Sequence, residues 1–409
     1  MFILFLLFPF LTVHSTPSSL LGSPSIHYVK NDDIWRRGAI EKLWNERDSM
    51  GRTPLVPLKL PSTWKAQIFL KNESAAVTES LKHRYAWALF MWALVEGKIH
   101  NDSTIYEASS GNSACSEAYF AKQLNLPFVA IVPDTLEDSK VERITKLGSS
   151  IIKVPLGDRI TTAARKANET GGFFMNQFAN ADKAEEYHTG GMKGKESVNV
   201  FSEILNQMNV PSFFVHSAGT GGTLSSAAKL SKKYALKTRM VLADTQFSVY
   251  GDYVLNARFV NESGKELWAP PGMAGIGFGT AGEVKIGETT SLRREIIDIV
   301  VKVPDIASTA AMAVLQEYGV NGGTSTGINL LVSLSLAAKN NRKGTRVVTL
   351  LADPSKYYTS SYLNETWIED KMKWHGGIKT YNCWKDIIRK AIKEGRDPLI
   401  LGGTRCSTK

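Results

Sequence analysis

Two spacings of apolar residues take turns along most of this chain. Runs such as Phe128-Val129-Ala130-Ile131-Val132 are apolar at every position and stop at Pro133, the mark of a strand covered on both faces. The same pattern predicts strands at Gln67–Lys71, Thr104–Ala108, Ser150–Val154, Ser212–Val215, Arg239–Ala243 and Arg346–Leu351. Between them, three- and four-residue spacing predicts helices over Ile34–Asp48, Arg84–Lys98, Ser116–Leu124, Glu137–Leu147, Gly194–Asn206, Leu224–Tyr234, Ser308–Tyr318 and Thr326–Ala338. In Arg84–Lys98 the stripe is Tyr85, Leu89, Trp92 and Val95, which reads as core packing, with Lys82 at or just before the first turn. Gly264–Gly282, rich in glycine and proline, reads as loop. Strand and helix in alternation predict an α/β fold of parallel, doubly wound sheets with helices on both faces.

The ends read differently. Phe2–Val13 is apolar but too short to span a bilayer, and small residues follow it. It reads as a secretory signal core cleaved near Ser15, although no basic residue precedes it; if the segment is not so used, a cytoplasmic location is the alternative. Sequons at Asn72, Asn101, Asn168, Asn261 and Asn364 fit a secreted glycoprotein. Lys371–Lys409 reads as a helix and tail.

Composition mainly removes possibilities. A chain of 409 residues with 43% hydrophobic content can bury a large core. The net charge of +10 is spread out, and its densest run, Lys339–Arg346, reads as a solvated helix end. With no nucleic-acid reader motif present, the charge serves at most to attract small anions. Cys115, Cys383 and Cys406 allow at most one bridge, Cys383 to Cys406 being one choice, which leaves Cys115 as a small buried filler. The histidines and cysteines form no metal-ligand spacing.

The candidate chemistry lies in a lysine and the loops that follow it. Lys82 sits in Ser80-Leu81-Lys82-His83-Arg84; partial burial by its apolar flanks, or the charge of Arg84, would lower its pKa and make the amine a nucleophile and base. Gly219-Thr220-Gly221-Gly222-Thr223 falls between a predicted strand and helix, where glycines let successive N–H groups converge on an anion. It is neither a Walker loop nor a dinucleotide fingerprint, since Leu224 holds the third glycine's place. Ser109-Ser110-Gly111-Asn112-Ser113 offers hydroxyls and an amide at another helix start, which suits a carboxylate; plain N-capping would need only one of them.

These segments, with Asn176-Gln177-Phe178-Ala179-Asn180 and Gly323-Thr324-Ser325-Thr326-Gly327, resemble in order and spacing the cysteine synthase/cystathionine β-synthase family. The likeness runs from about Trp35 to Trp367, and Ser80–Ile99 with Glu107–Pro133 is most similar to the bacterial L-cysteine desulfhydrase branch. The resemblance implies the tryptophan-synthase-β-like architecture (fold type II) and pyridoxal 5'-phosphate as cofactor. It implies a smaller α/β domain over residues 76–186, and a larger one from residues 16–75 and 187–370. A homodimer and a small amino-acid substrate are implied as well.

On this chain the resemblance makes Lys82 the Schiff-base lysine and assigns the cofactor phosphate to Gly219, Thr220, Gly221, Gly222 and Thr223. Asn112 would bond the 3-hydroxyl and Ser325 would face the pyridine nitrogen, with Thr324 an alternative. Ser109, Ser110, Ser113 and Gln177 would hold the substrate carboxylate. The implied reaction is α,β-elimination on L-cysteine. β-Replacement, as by a cysteine or cystathionine synthase, is the second reading, and a non-catalytic binder in an old cofactor cleft is the third. Three positions depart from the family pattern: Glu79 where glycine is common before the lysine motif, His83 for aspartate, and Ala114 for glycine. Glu79 would either crowd the ring or point away.

Overall fold

The computed structural model describes residues 26–134, 136, 138–189, 197–257, 271–278 and 290–406. The apolar segment Phe2–Val13 and Asn261 lie outside these residues, as does most of the expected loop at 264–282. Strands β1 (Leu55–Pro57) and β2 (Gln67–Asn72) open the chain's larger sheet. Then come β3 (Ile105–Glu107), β4 (Phe128–Pro133), β5 (Ser150–Val154) and β6 (Phe173–Phe174), which form a separate parallel sheet ordered β5-β4-β3-β6. Finally β7 (Phe213–His216), β8 (Arg239–Thr245), β9 (Ile299–Val303) and β10 (Arg346–Leu351) complete the larger sheet, ordered β1-β2-β10-β7-β8-β9. Among the described strands, only β1 runs antiparallel to its neighbour.

The run-on apolar strands now have a physical reason. In β7, Phe213 and Val215 point into one core while Phe214 points into another; β8 divides Val241 and Ala243 from Met240 and Leu242 in the same way. Each face of the larger sheet is roofed by helices, so period-two alternation sends apolar residues both ways.

Helices α1 (Ile26–Met50), α2 (Lys82–Val95), α3 (Asn112–Gln123), α4 (Asp138–Thr145), α5 (Arg159–Thr170) and α6 (Gln177–Thr189) precede β7. Ala39 and Leu43 of α1 join the core that α2 and α3 make over the smaller sheet. The N-terminal stretch is thus divided: α1 packs with the smaller sheet, while β1 and β2 belong to the larger. Helix α2 corrects the expected one-sided stripe. Every residue from His83 to Leu94 is buried, and Val95, expected inside, is exposed. A helix apolar all round belongs in the interior, not on a surface. It begins at Lys82 itself.

The larger sheet carries α7 (Val200–Gln207), α8 (Gly222–Lys233) and α9 (Tyr250–Asn256), then α10 (Asp305–Glu317) and α11 (Thr324–Lys339). After β10 come α12 (Glu365–Lys371), α13 (Gly377–Glu394) and α14 (Pro398–Arg405). This C-terminal piece is part of the core: Tyr381, Trp384, Ile387, Ile388, Ala391 and Ile392 line one face of α13 at helical spacing and pack with α10 and α11. Cys383 and Cys406 form the expected disulfide, with Cα atoms 5.8 Å apart, and Cys115 is buried and free. A bridge closing 23 residues removes loop entropy worth about 3 kcal/mol from the unfolded chain. Cys383→Ser should therefore lower unfolding free energy by about that amount in urea titration; a midpoint unchanged from the parent would refute it.

Candidate active site

The site forms where the loops leave the carboxyl ends of β2, β3, β7 and β10, the usual ligand edge of parallel sheets. Its hub is the Ala352-Asp353 segment just after β10. The N–H of Leu81 donates to the Ala352 carbonyl at 2.8 Å, which fixes the start of α2 and so places Lys82. The Nδ2 of Asn112, first residue of α3, donates to Asp353 Oδ2 at 2.7 Å. The N–H of Gly323 donates to the Asp353 carbonyl at 3.0 Å, anchoring the turn that carries Ser325 into α11. Three segments far apart in sequence are thereby tied to one strand end. Within the Gly323–Gly327 turn, Thr324 donates its hydroxyl to the Ala274 carbonyl at 2.7 Å. That commitment separates it from Ser325, which is also buried.

The glycine turn reaches the same place from the β7 side. Gly221 has φ +83° and caps the start of α8; a side chain there would run into Leu292, and one on Gly219 would strike the Gly275 carbonyl. Its carbonyls are drawn outward. Tyr250 Oη donates to the Gly219 oxygen at 2.7 Å, Ser291 N–H and Thr290 Oγ1 donate to the Thr220 oxygen, and Ser225 N–H donates to the Gly221 oxygen. With these oxygens occupied, the N–H groups at the start of α8, which have no intrahelical partner, are the turn's remaining donors, Gly222 N–H reaching Thr220 Oγ1 at 3.3 Å. Tyr85 joins turn to lysine: its ring lies 3.9 Å from where a Gly222 side chain would begin, and Lys82 Nζ sits 5.5 Å from the ring centre.

The serine loop closes the remaining side. Ser109 and Ser113 are buried, while Ser110 and Asn112 are half-buried. Ser113 Oγ donates to Gln177 Oε1 at 2.5 Å, so the two predicted carboxylate holders already meet. Asn176, with φ +47°, makes the left-handed turn that starts α6 at Gln177, a conformation asparagine tolerates.

Electrostatics corrects one expectation. Lys82 is half-buried and its pKa is lowered by burial, against the pull of the Asp353 and Glu117 carboxylates. Arg84 does not contribute. Its guanidinium is bound to Glu73 at 2.7 Å and Glu203 at 3.1 Å in a buried ionic cluster on the other side of α2. Spacing of two residues on a helix turns side chains to different faces, which the linear sequence hides. Glu79 is committed to Lys356 Nζ at 2.5 Å and to the Tyr357 hydroxyl. His83 packs between the rings of Tyr119 and Phe120.

Sequence reading missed several groups that face the lysine. His216, at the end of β7, has its pKa pushed down to about 3 by burial and by Lys82. Asp353 is raised by burial, although Tyr358 and Asn112 donate to it. Glu117 on α3 is fully buried and acts on both Lys82 and Tyr85. A usable signal existed for Asp353, an acid directly after an apolar strand. Glu117 also had one, being the single charge in the stretch Ser113–Ala121, four residues from Ser113.

The arrangement fits a phosphorylated aldehyde cofactor. A glycine cradle of helix-start donors, a half-buried amine of lowered basicity, a half-buried amide and a buried hydroxyl are linked through Tyr85 and the Ala352-Asp353 hub. Comparison with known proteins agrees. Residues 47–353 match the family described as pyridoxal-phosphate dependent enzyme. A Caenorhabditis elegans protein whose name gives pyridoxal-phosphate dependence and no reaction is 46% identical, covering 91% of this chain and 89% of its own. The L-cysteine desulfhydrase of Mycobacterium tuberculosis is 32% identical over 82% of this chain and 89% of its own. The crystal structure of a hydrogen sulfide-producing enzyme from Fusobacterium nucleatum superposes with a TM-score of 0.62 at 26% identity, covering 76% of this chain and 97% of that one. With two α/β sheets of the tryptophan-synthase-β-like type and a match over most of its length, the chain belongs to the pyridoxal-phosphate-dependent enzymes, in the family of cysteine desulfhydrases, cysteine synthases and cystathionine β-synthases.

Proposed function

We propose that this enzyme carries out α,β-elimination on L-cysteine, in which cysteine and water give hydrogen sulfide, pyruvate and ammonia. The observation that carries the reading is the meeting of Lys82, Asn112 and the Ser325 turn at the Ala352-Asp353 hub, in a chain 32% identical to an L-cysteine desulfhydrase. Pyridoxal phosphate, when bound, supplies an aldehyde for an amine and a conjugated ring that takes up the electron pair left at the amino acid's Cα.

The protein's part follows from its residues. The N–H groups of residues 219–223 and the Thr220 and Thr223 hydroxyls would hold the phosphate, with the α8 dipole adding to their attraction. Asn112 would give its amide hydrogen to the 3-hydroxyl oxygen in place of Asp353. Ser325 would face the ring nitrogen; a hydroxyl there does not enforce protonation, which favours loss of a Cβ substituent over transamination. Ser109, Ser110, Ser113 and Gln177 would bind the substrate carboxylate. Lys82 would anchor the cofactor through Nζ and, once displaced by the substrate's amine, accept the Cα proton on the same atom. Its lowered pKa suits this, because an amine must be neutral to take a proton.

Purified protein given L-cysteine alone should release sulfide and pyruvate in equal amounts. Sulfide without pyruvate, or product only when a second amino acid or thiol is added, would reject elimination in favour of β-replacement.

A further inference from the structure

Beneath the serine loop lies a buried carboxyl that the mechanism above does not use. Glu117 is fully enclosed on α3, one turn beyond Ser113 and on the same face. Neither of its carboxyl oxygens has a hydrogen-bond partner among the described residues. Glu107, at the end of β3, is equally buried but well served: Ala108 N–H donates to it at 2.7 Å and Gln177 N–H at 3.1 Å. Gln177 also accepts the Tyr85 hydroxyl at 2.5 Å and the Ser113 hydroxyl, so the two glutamates border the framework that holds the substrate loop to α2.

We propose that Glu117 is a positioning residue for Lys82, a swing carboxyl that is neutral while the amine is neutral and ionised while it is an ammonium. The proposal rests on Lys82 being the cofactor lysine, and it deepens that reading. Two charges compete for Glu117. Burial raises the Glu107 carboxyl to about 7, but its two N–H donors favour its charge over that of the donor-less Glu117, and a Glu107 carboxylate opposes a second negative charge nearby; a Lys82 ammonium favours one. Burial sides with the neutral form, and with no donor of its own Glu117 has nothing else to hold its charge. When the amine gains a proton, Glu117 gives one up, and the buried pair keeps its net charge. Among the described groups that bear on this couple, Asp353 at the β10 end also attracts the ammonium, His216 stays neutral, Tyr85 stays protonated, and Arg159 of α5 faces Glu107.

The test is the pH dependence of trapping the amine. The full-length chain, freed of cofactor, is given pyridoxal phosphate and cyanoborohydride across a pH series, and the pyridoxyl label on Lys82 is followed by mass spectrometry. Only the neutral amine reacts, so the half-maximal pH reports its basicity. Glu117→Gln removes the counter-charge and should move the midpoint down by about one pH unit. Glu107→Gln frees Glu117 to ionise and should move it up, since Glu107 has no direct bearing on Lys82. Either variant alone is decisive if the other does not fold. Label on Lys82 with midpoints unmoved, or moved in the opposite senses, overturns this proposal alone. Label on another residue overturns it together with the assignment of Lys82.

Discussion

Lys82→Ala should give a protein that folds, purifies colourless and has lost at least about 10³-fold in kcat for sulfide release, since proton abstraction by a placed base is worth that much. Lys82 is the first residue of α2, and the helix is held by its buried residues 83–94 and by the Leu81-to-Ala352 hydrogen bond. Removing the Lys82 side chain leaves all of these in place, so the loss should be chemical and not structural. Lys82→Arg separates charge from reactivity: the guanidinium keeps the positive charge but cannot become a neutral amine. It should be as inactive as the alanine variant. An absorbance spectrum after dialysis, beside a pyruvate assay, decides the matter. A Lys82→Ala protein that stays yellow and active would move the cofactor lysine elsewhere.

Glu203→Ala should cost about 3–5 kcal/mol of stability while leaving the site residues untouched. Glu203 on α7 is buried and binds Arg47 of α1 at 3.1 Å, Lys71 of β2 at 2.8 Å and Arg84 of α2 at 3.1 Å. Glu73 is the other anion of this cluster. Deleting Glu203 would leave three buried cations around Glu73 alone, between helices of the smaller layer and the edge of the larger sheet. Burial raises the Glu203 carboxyl, but the Arg84 and Lys71 charges outweigh it and hold the group at about 2, below its ordinary 4.5. A lowered pKa in the folded state stabilises the fold above the unfolded pKa. The contribution is therefore complete above about pH 4.5 and fades as pH falls toward 2. Urea unfolding of parent and variant should differ most near neutrality and converge in acid. A difference that stays constant down to pH 3 would show that packing, not charge, had been lost.

Much of the architecture, and the loops that make up the candidate site, could be read from the linear sequence, because the information is local. Strand β4 is an unbroken apolar run closed by Pro133, and β5 and β10 fall on the predicted residues. A glycine turn between strand and helix carries its own geometry, and residues 219–223 sit where that pattern put them. Other stretches went unread: α6; α5, whose buried residues Thr162, Ala163 and Ala167 are small and carry little apolar signal; and the half-buried strand β9, despite its apolar Ile299-Val300-Val301.

The sequence by itself determined the parallel α/β rhythm, the order of the loops and the residue types that could hold a phosphate, an aldehyde and a carboxylate. Tertiary structure alone decided which charges face Lys82. Arg84, two residues away, turns to Glu73 and Glu203, whereas Asp353 and Glu117, remote in the chain, come to act on the amine. The reason is physical: Coulomb energy and desolvation depend on distance and burial through space, and a one-dimensional string encodes neither until helices and strand ends have packed.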